Sequence, residues 1–198
     1  MNSKDEKRWP RYLVWLTYLI WAFFLFTAIY DLFGYSTRAL FWILELGIAM
    51  FIYYRFKLPA WAYMGVLAFL LANLFGEVYL GFFYSLSYYD KIIHLLSPLI
   101  ICTMLYFMLE KKAPDKKTRV LLSVSILLSF ELIWEILEYF SDLYLGTFLT
   151  GVQLIMFENS KSVQVMPSYQ DTIYDMLFNL AGSLVFMISA WMAVNRKK

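Results

Sequence analysis

Three glutamates, Glu131, Glu135 and Glu138, recur at spacings of four and three inside the apolar run Thr118 to Asp142. On a helix these spacings place all three carboxylates on one stripe. Asp90 and His94 stand four apart at the start of another apolar run, with Ser97 on the same face one turn on and Pro98 directly after it. Asp171, Asp175 and Asn179 repeat the spacing of four on a third run, and Gly182 extends their face without a side chain, so a partner helix can come close there. Helical proteins build metal sites from carboxylates and histidines presented at one-turn intervals in this way. The set is oxygen-rich, with one imidazole and no thiolate; it suits Mg, Ca or Mn and can accept Zn or Fe.

The spacing therefore nominates Asp90, His94, Glu135, Glu138, Asp171 and Asp175 as ligands of a divalent metal ion whose identity is open. Glu77 and Asn179 stand behind them as supporting groups. Glu131, the deepest of its stripe, is the candidate general base, since burial of a carboxylate makes it a better proton acceptor. Pro98 adds a backbone feature: it cannot donate to the carbonyl four residues earlier, which frees the His94 carbonyl and bends the helix beside the imidazole. Simpler roles compete at some positions. Asp90 and Asp171 each fit a helix N-terminal cap, and Glu45, Asn73 and Glu77 fit hydrogen-bonding contacts between helices.

The elements that must position these groups are membrane spans. The chain of 198 residues is 62% hydrophobic and 21% aromatic, far above the roughly 45–50% apolar share of soluble domains. About 20 apolar residues cross the hydrocarbon core as a helix. Six runs qualify: Tyr12 to Phe33, Ala39 to Tyr54, Pro59 to Phe82, Asp90 to Leu109, Thr118 to Asp142 and Asp171 to Val194. The expected fold is an all-α polytopic transmembrane bundle forming a single membrane domain over 1–198. Of the 17 lysines and arginines, only Arg38, Lys91 and Lys161 fall in the second set of alternate loops, so the positive-inside rule places both termini in the cytoplasm.

This topology puts every buried acid in the outer half of the bilayer. Glu45 lies about 9 Å below the outer start of its span and Glu77 roughly 7 Å below the outer end of the next. A water-filled cavity open to the outside accounts for such one-sidedness. The eight acids Glu45, Glu77, Asp90, Glu131, Glu135, Glu138, Asp171 and Asp175 face only Lys91 and Arg38 as fixed cations. Protons or bound cations must neutralise the remainder. Residues 143–168 form a long outer loop whose first part, Leu143 to Phe157, is apolar but too short to span, which fits an extracytoplasmic re-entrant or interfacial segment placed as a lid.

Several classes fall away. The net charge of +2 comes from short basic clusters between spans, where topology explains them, so nucleic acid is not a partner. The single Cys102 excludes an internal disulfide and a cysteine metal cluster. The basic N-terminus precedes a run too long for a cleaved signal peptide.

Tyr89-Asp90-Lys91-x-x-His94, Glu135-x-x-Glu138-Tyr139-Phe140 and Asp171-Thr172-x-x-Asp175-Met176 together resemble the YjdF-type family of uncharacterised bacterial and archaeal membrane proteins. The resemblance covers Tyr89 to Phe186. More distantly, the Asp-Lys-x-x-His start, the glutamate pair and the step Asp175, Asn179, Gly182 are similar to the VanZ-like group, whose members are tied to glycopeptide antibiotic tolerance. Leu95 departs from the aromatic usual after the histidine, and the apolar stretch before Asp171 is longer. The resemblance implies which residues matter and does not imply a reaction. Three functions fit the pattern: metal-assisted hydrolysis of an outer-leaflet amphiphile, proton- or cation-coupled transport, and non-catalytic binding of a lipid or partner. In each, membrane lipids surround the protein.

Overall fold

Four of the chain's five prolines stand just ahead of a helix, where a missing N–H costs nothing and the fixed φ suits the first turn. Pro10, Pro59, Pro114 and Pro167 precede α1 (Arg11–Leu32), α3 (Ala60–Leu70), α6 (Lys116–Leu145) and α7 (Ser168–Asn195). The others are α2 (Ser36–Arg55), α4 (Phe82–Ser85) and α5 (Tyr89–Met108), with Pro98 inside α5. The computed structural model describes residues 9–145, 150–156 and 161–196, apart from the side chains at 36, 37, 77, 78, 145, 153–156, 161 and 162.

Among the described residues, four helices are long and apolar enough to cross a membrane: α1, α5, α6 and α7. The runs expected as the second and third spans are helical as well. However, α2 carries Arg38, Glu45 and Arg55 within its 20 residues, and the apolar helix Ala60–Gly76 is short. Leu, Ile and Phe side chains lie exposed along α1, α2 and α6, a surface suited to lipid rather than water.

The chain divides into two compact units, Met1–Leu70 and Leu71–Lys198. In the first, α1 packs on α2 and α3 around Trp21, Phe24, Trp42, Tyr63 and Leu67. Trp21 Nε1 donates to Tyr63 Oη at 3.1 Å, and Tyr63 Oη donates to the Ala49 carbonyl at 2.9 Å, so polar edges inside this aromatic core are satisfied. Arg38 pairs within this unit: its Nη2 is 2.7 Å from Asp31 Oδ1, and Trp42 Nε1 donates to Asp31 Oδ2 at 3.0 Å.

In the second unit, α5, α6 and α7 pack on one another over Cys102, Val120, Leu127 and Phe186. Gly182 sets the approach of α7 to α5, because a Cβ there would lie 2.3 Å from the Leu95 carbonyl oxygen and 3.1 Å from Pro98 Cγ. The third expected span is not a regular helix along its whole length; Leu71–Tyr79 winds as a π-helix. Tyr89 accounts for the loosened winding: its hydroxyl donates to the Ala72 carbonyl, and its ring occupies the space a Cβ on Gly76 would need. Between 143 and 168 the described residues hold more order than a loop. β1 (Val152–Met156) and β2 (Lys161–Met166) form an antiparallel hairpin with Leu154 opposite Val163. β-branched Val163 and Val165, alternating with polar residues, favour the extended state there.

Candidate functional site

The N-terminal turns of α5 and α7 meet around Lys91. The lysine is 4% exposed, and its Nζ donates to Asp90 Oδ2 at 2.7 Å, to Asp175 Oδ1 at 2.6 Å and to Asp171 Oδ1. All three ammonium hydrogens thus have carboxylate acceptors, as a buried charge requires. Neither α5 nor α7 has a side-chain cap. Asp90 and Asp171 turn to Lys91 instead, which removes the simpler cap role for both.

His94 lies one turn beyond Asp90, and its Nε2 is 3.3 Å from Asp90 Oδ1 and 3.6 Å from Asp175 Oδ1. One ligand atom from each of Asp90, His94 and Asp175 fits within a mutual separation of 4.8 Å, close enough for one metal ion. In a tetrahedral site with bonds near 2.0–2.1 Å, neighbouring ligand atoms stand roughly 3.4 Å apart, and both His94 separations are near this. The donor chemistry also fits: two carboxylates and an imidazole are three protein ligands that leave positions for water or substrate.

Asn179 fixes the imidazole. Its Nδ2 donates to Glu131 Oε2 at 2.9 Å and lies 3.0 Å from His94 Nδ1. With the amide in that orientation, Nδ1 accepts and Nε2 carries the ring hydrogen toward Asp90 and Asp175. Glu131 is therefore engaged by Asn179 through one carboxylate oxygen.

Glu135 is different. It is 2% exposed, and His94, Thr172, Asp171 and Asp90 are its polar neighbours. Among the described residues, neither of its carboxylate oxygens closes a hydrogen bond. Glu138 is half-buried on the same stripe, beside Glu135 and Trp134. The Glu77 side chain lies outside the described residues. Two shallow apolar depressions, one on α2 and one on α6, include none of the nominated site residues in their lining.

The structure thus brings together Asp90, His94, Asp171, Asp175, Asn179 and Glu131, keeps Glu135 buried alongside, and adds Lys91. Sequence reading counted Lys91 as a neutralising charge without giving it the centre, although it stands between Asp90 and His94 in the motif. Two further contacts had no sequence signal. Gly151 N donates to Asp171 Oδ2 at 2.7 Å, and Thr150 N donates to Asp142 Oδ2 at 2.8 Å. These bonds fasten the base of the hairpin to α7 and α6. Gly151 has φ +90, a conformation that needs glycine, and its missing Cβ leaves room for the Met166 carbonyl.

Residues 12–196 match a family model described as a predicted membrane protein, DUF2238. The chain belongs to the DUF2238 family. This membership agrees with the YjdF-type resemblance and gives the VanZ-like one no support. Neither a curated protein nor a solved structure matches the chain. As a DUF2238 member with four apolar helices of spanning length, it is an integral membrane protein in contact with membrane lipid.

Proposed function

We propose that Asp90, His94 and Asp175 hold a divalent cation in the outer half of the membrane and that the site performs metal-assisted hydrolysis on an amphiphile of the outer leaflet. The observation carrying this reading is the convergence of three ligand atoms from two helices within 4.8 Å. A divalent ion held there supplies a Lewis acid and an acidified water. The chain's own residues do the rest. Lys91 takes Asp90 Oδ2 at 2.7 Å, so the other oxygen of that carboxylate is turned toward His94. Asn179 holds the imidazole plane, and Nε2 gives up its hydrogen on ligation. Glu135, buried beside His94 and Thr172, replaces Glu131 as the acceptor for a proton from water. In this reading both termini are cytoplasmic, the helical runs cross six times, and the hairpin lies outside; the distribution of lysine and arginine supports that topology.

The test uses the full chain purified in detergent. After chelation and exchange, Mn, Zn or Mg is added back while bound metal and Tm are measured. One metal per chain with a raised Tm, both lost in His94→Ala and Asp175→Asn, is expected. No stoichiometric metal and no change in Tm with any of the three would end the proposal.

One observation favours a second reading, a proton-coupled transporter. Glu131, His94, Asp90 and Asp175 lie on neighbouring faces of α5, α6 and α7, with Asn179 Nδ2 held between Glu131 and His94, and clustered carboxylates with a histidine are the groups that carry protons in membrane helices. Solute uptake by proteoliposomes that collapses in Glu135→Gln and persists after chelation would select it.

A further inference from the structure

Below the acid cluster, two buried oxygens on α7 lack partners. Asn179 is 1% exposed and Ser183 is 0% exposed; among the described residues, Asn179 Oδ1 and Ser183 Oγ make no hydrogen bond. Unpaired buried oxygens are uncommon because each forfeits its hydration, so both call for a physical partner. The residues are one turn apart on the buried face of α7 that also carries Gly182. That face presses on α5 where Pro98 withdraws the N–H that the His94 carbonyl would otherwise accept. Asn179 donates through Nδ2 to Glu131 and His94, which turns its Oδ1 away from them.

We infer that Asn179 Oδ1, Ser183 Oγ and the freed His94 carbonyl form a binding site for one small monovalent cation, sodium. The donors are an amide oxygen, a hydroxyl and a carbonyl released by a break in the helix. That is the neutral-oxygen chemistry by which interrupted membrane helices coordinate sodium. Charge favours an ion over a lone water. Glu131 sits on the other side of the same amide, and among the described residues the six carboxylates of Asp90, Glu131, Glu135, Glu138, Asp171 and Asp175 have Lys91 as their one buried lysine. The site is separate from the divalent one: His94 gives its imidazole to that site and its backbone carbonyl to this one.

Full-length protein in detergent is titrated with NaCl, KCl or choline chloride at constant ionic strength, without divalent metal, and Tm is followed. Sodium at ten times its Kd should raise Tm by roughly 3–6 °C over choline. The rise should saturate and should shrink in Ser183→Ala. Pro98→Ala, which returns a donor to the His94 carbonyl and favours the helix, should weaken the sodium effect without lowering the Tm in choline. His94→Ala keeps the backbone carbonyl and should keep the sodium response, so loss of the divalent site leaves this one readable. Equal Tm in sodium, potassium and choline would mean that the oxygens hold water only, and would overturn the inference. A sodium response unchanged by both Ser183→Ala and Pro98→Ala would also overturn it.

Discussion

The Lys91 ammonium lies 2.6 Å from Asp175 Oδ1, joining residues 84 apart in the chain. With Asp90 and Asp171 also bonded, one side chain neutralises carboxylates from two helices. Lys91→Met removes that charge and leaves three acids facing one another in a low-dielectric site. The cost should be about 3–5 kcal/mol of unfolding free energy, read by denaturant unfolding in micelles. Adding Asp171→Asn and Asp175→Asn to the same chain should recover part of the loss. A Lys91→Met protein as stable as the parent would contradict the burial of this charge.

Gly182 and Gly47 offer a matched comparison. Both sit inside helices, where alanine is favoured over glycine by about 1 kcal/mol. A Cβ at Gly47 meets nothing within 4 Å, whereas at Gly182 it meets the Leu95 carbonyl at 2.3 Å. Gly47→Ala is expected to hold or raise Tm. Gly182→Ala is expected to lower stability by about 1–3 kcal/mol, the usual cost of forcing atoms into a packed contact.

Asp142 should govern the hairpin. Its Oδ2 accepts from the backbone N of Thr150 at 2.8 Å. Asp142→Ala releases one of the two fastenings at the hairpin base, so amide exchange in β1 and β2 should accelerate while exchange in the middle of α5 stays as in the parent. Unchanged exchange in the strands would assign the anchoring to Asp171 alone.

Asp115 predicts a pH effect at the start of α6. Its Oδ2 accepts from both N and Oγ1 of Thr118 at 2.7 Å, and the hydroxyl bond leads in holding this carboxyl below its ordinary 3.8. A lowered folded value means stabilisation that is present above 3.8 and lost as pH falls through the folded value. The Tm difference between the parent and Asp115→Ala should therefore be open at neutral pH and close in acid. A constant difference would show that the cap works without its charge.

The helices were legible because their signal is local: apolar runs of spanning length, set off by Pro10, Pro114 and Pro167. The faces of α5 and α7 were legible for the same reason, since one-turn spacing aligned Asp90 with His94 and Asp175 with Asn179. The pairing of those faces depends on atoms far apart in sequence. Nothing near Glu131 says that Asn179 will engage it while Glu135 packs beside His94 and Thr172. Gly151 carried no sign that its N–H would reach Asp171, and the hairpin was hidden because an apolar stretch too short to span reads equally as an interfacial loop. The π-helix at Leu71–Tyr79 escaped for a related reason: its cause is Tyr89, a residue outside the run that it reshapes.

The ion cluster also sets an order on biosynthesis. Lys91 enters the membrane with Asp90 beside it, but Asp171 follows 80 residues later. Until α7 is made, the Lys91 ammonium has Asp90 alone of its three carboxylate acceptors. The ion cluster is therefore complete only once α7 has been made.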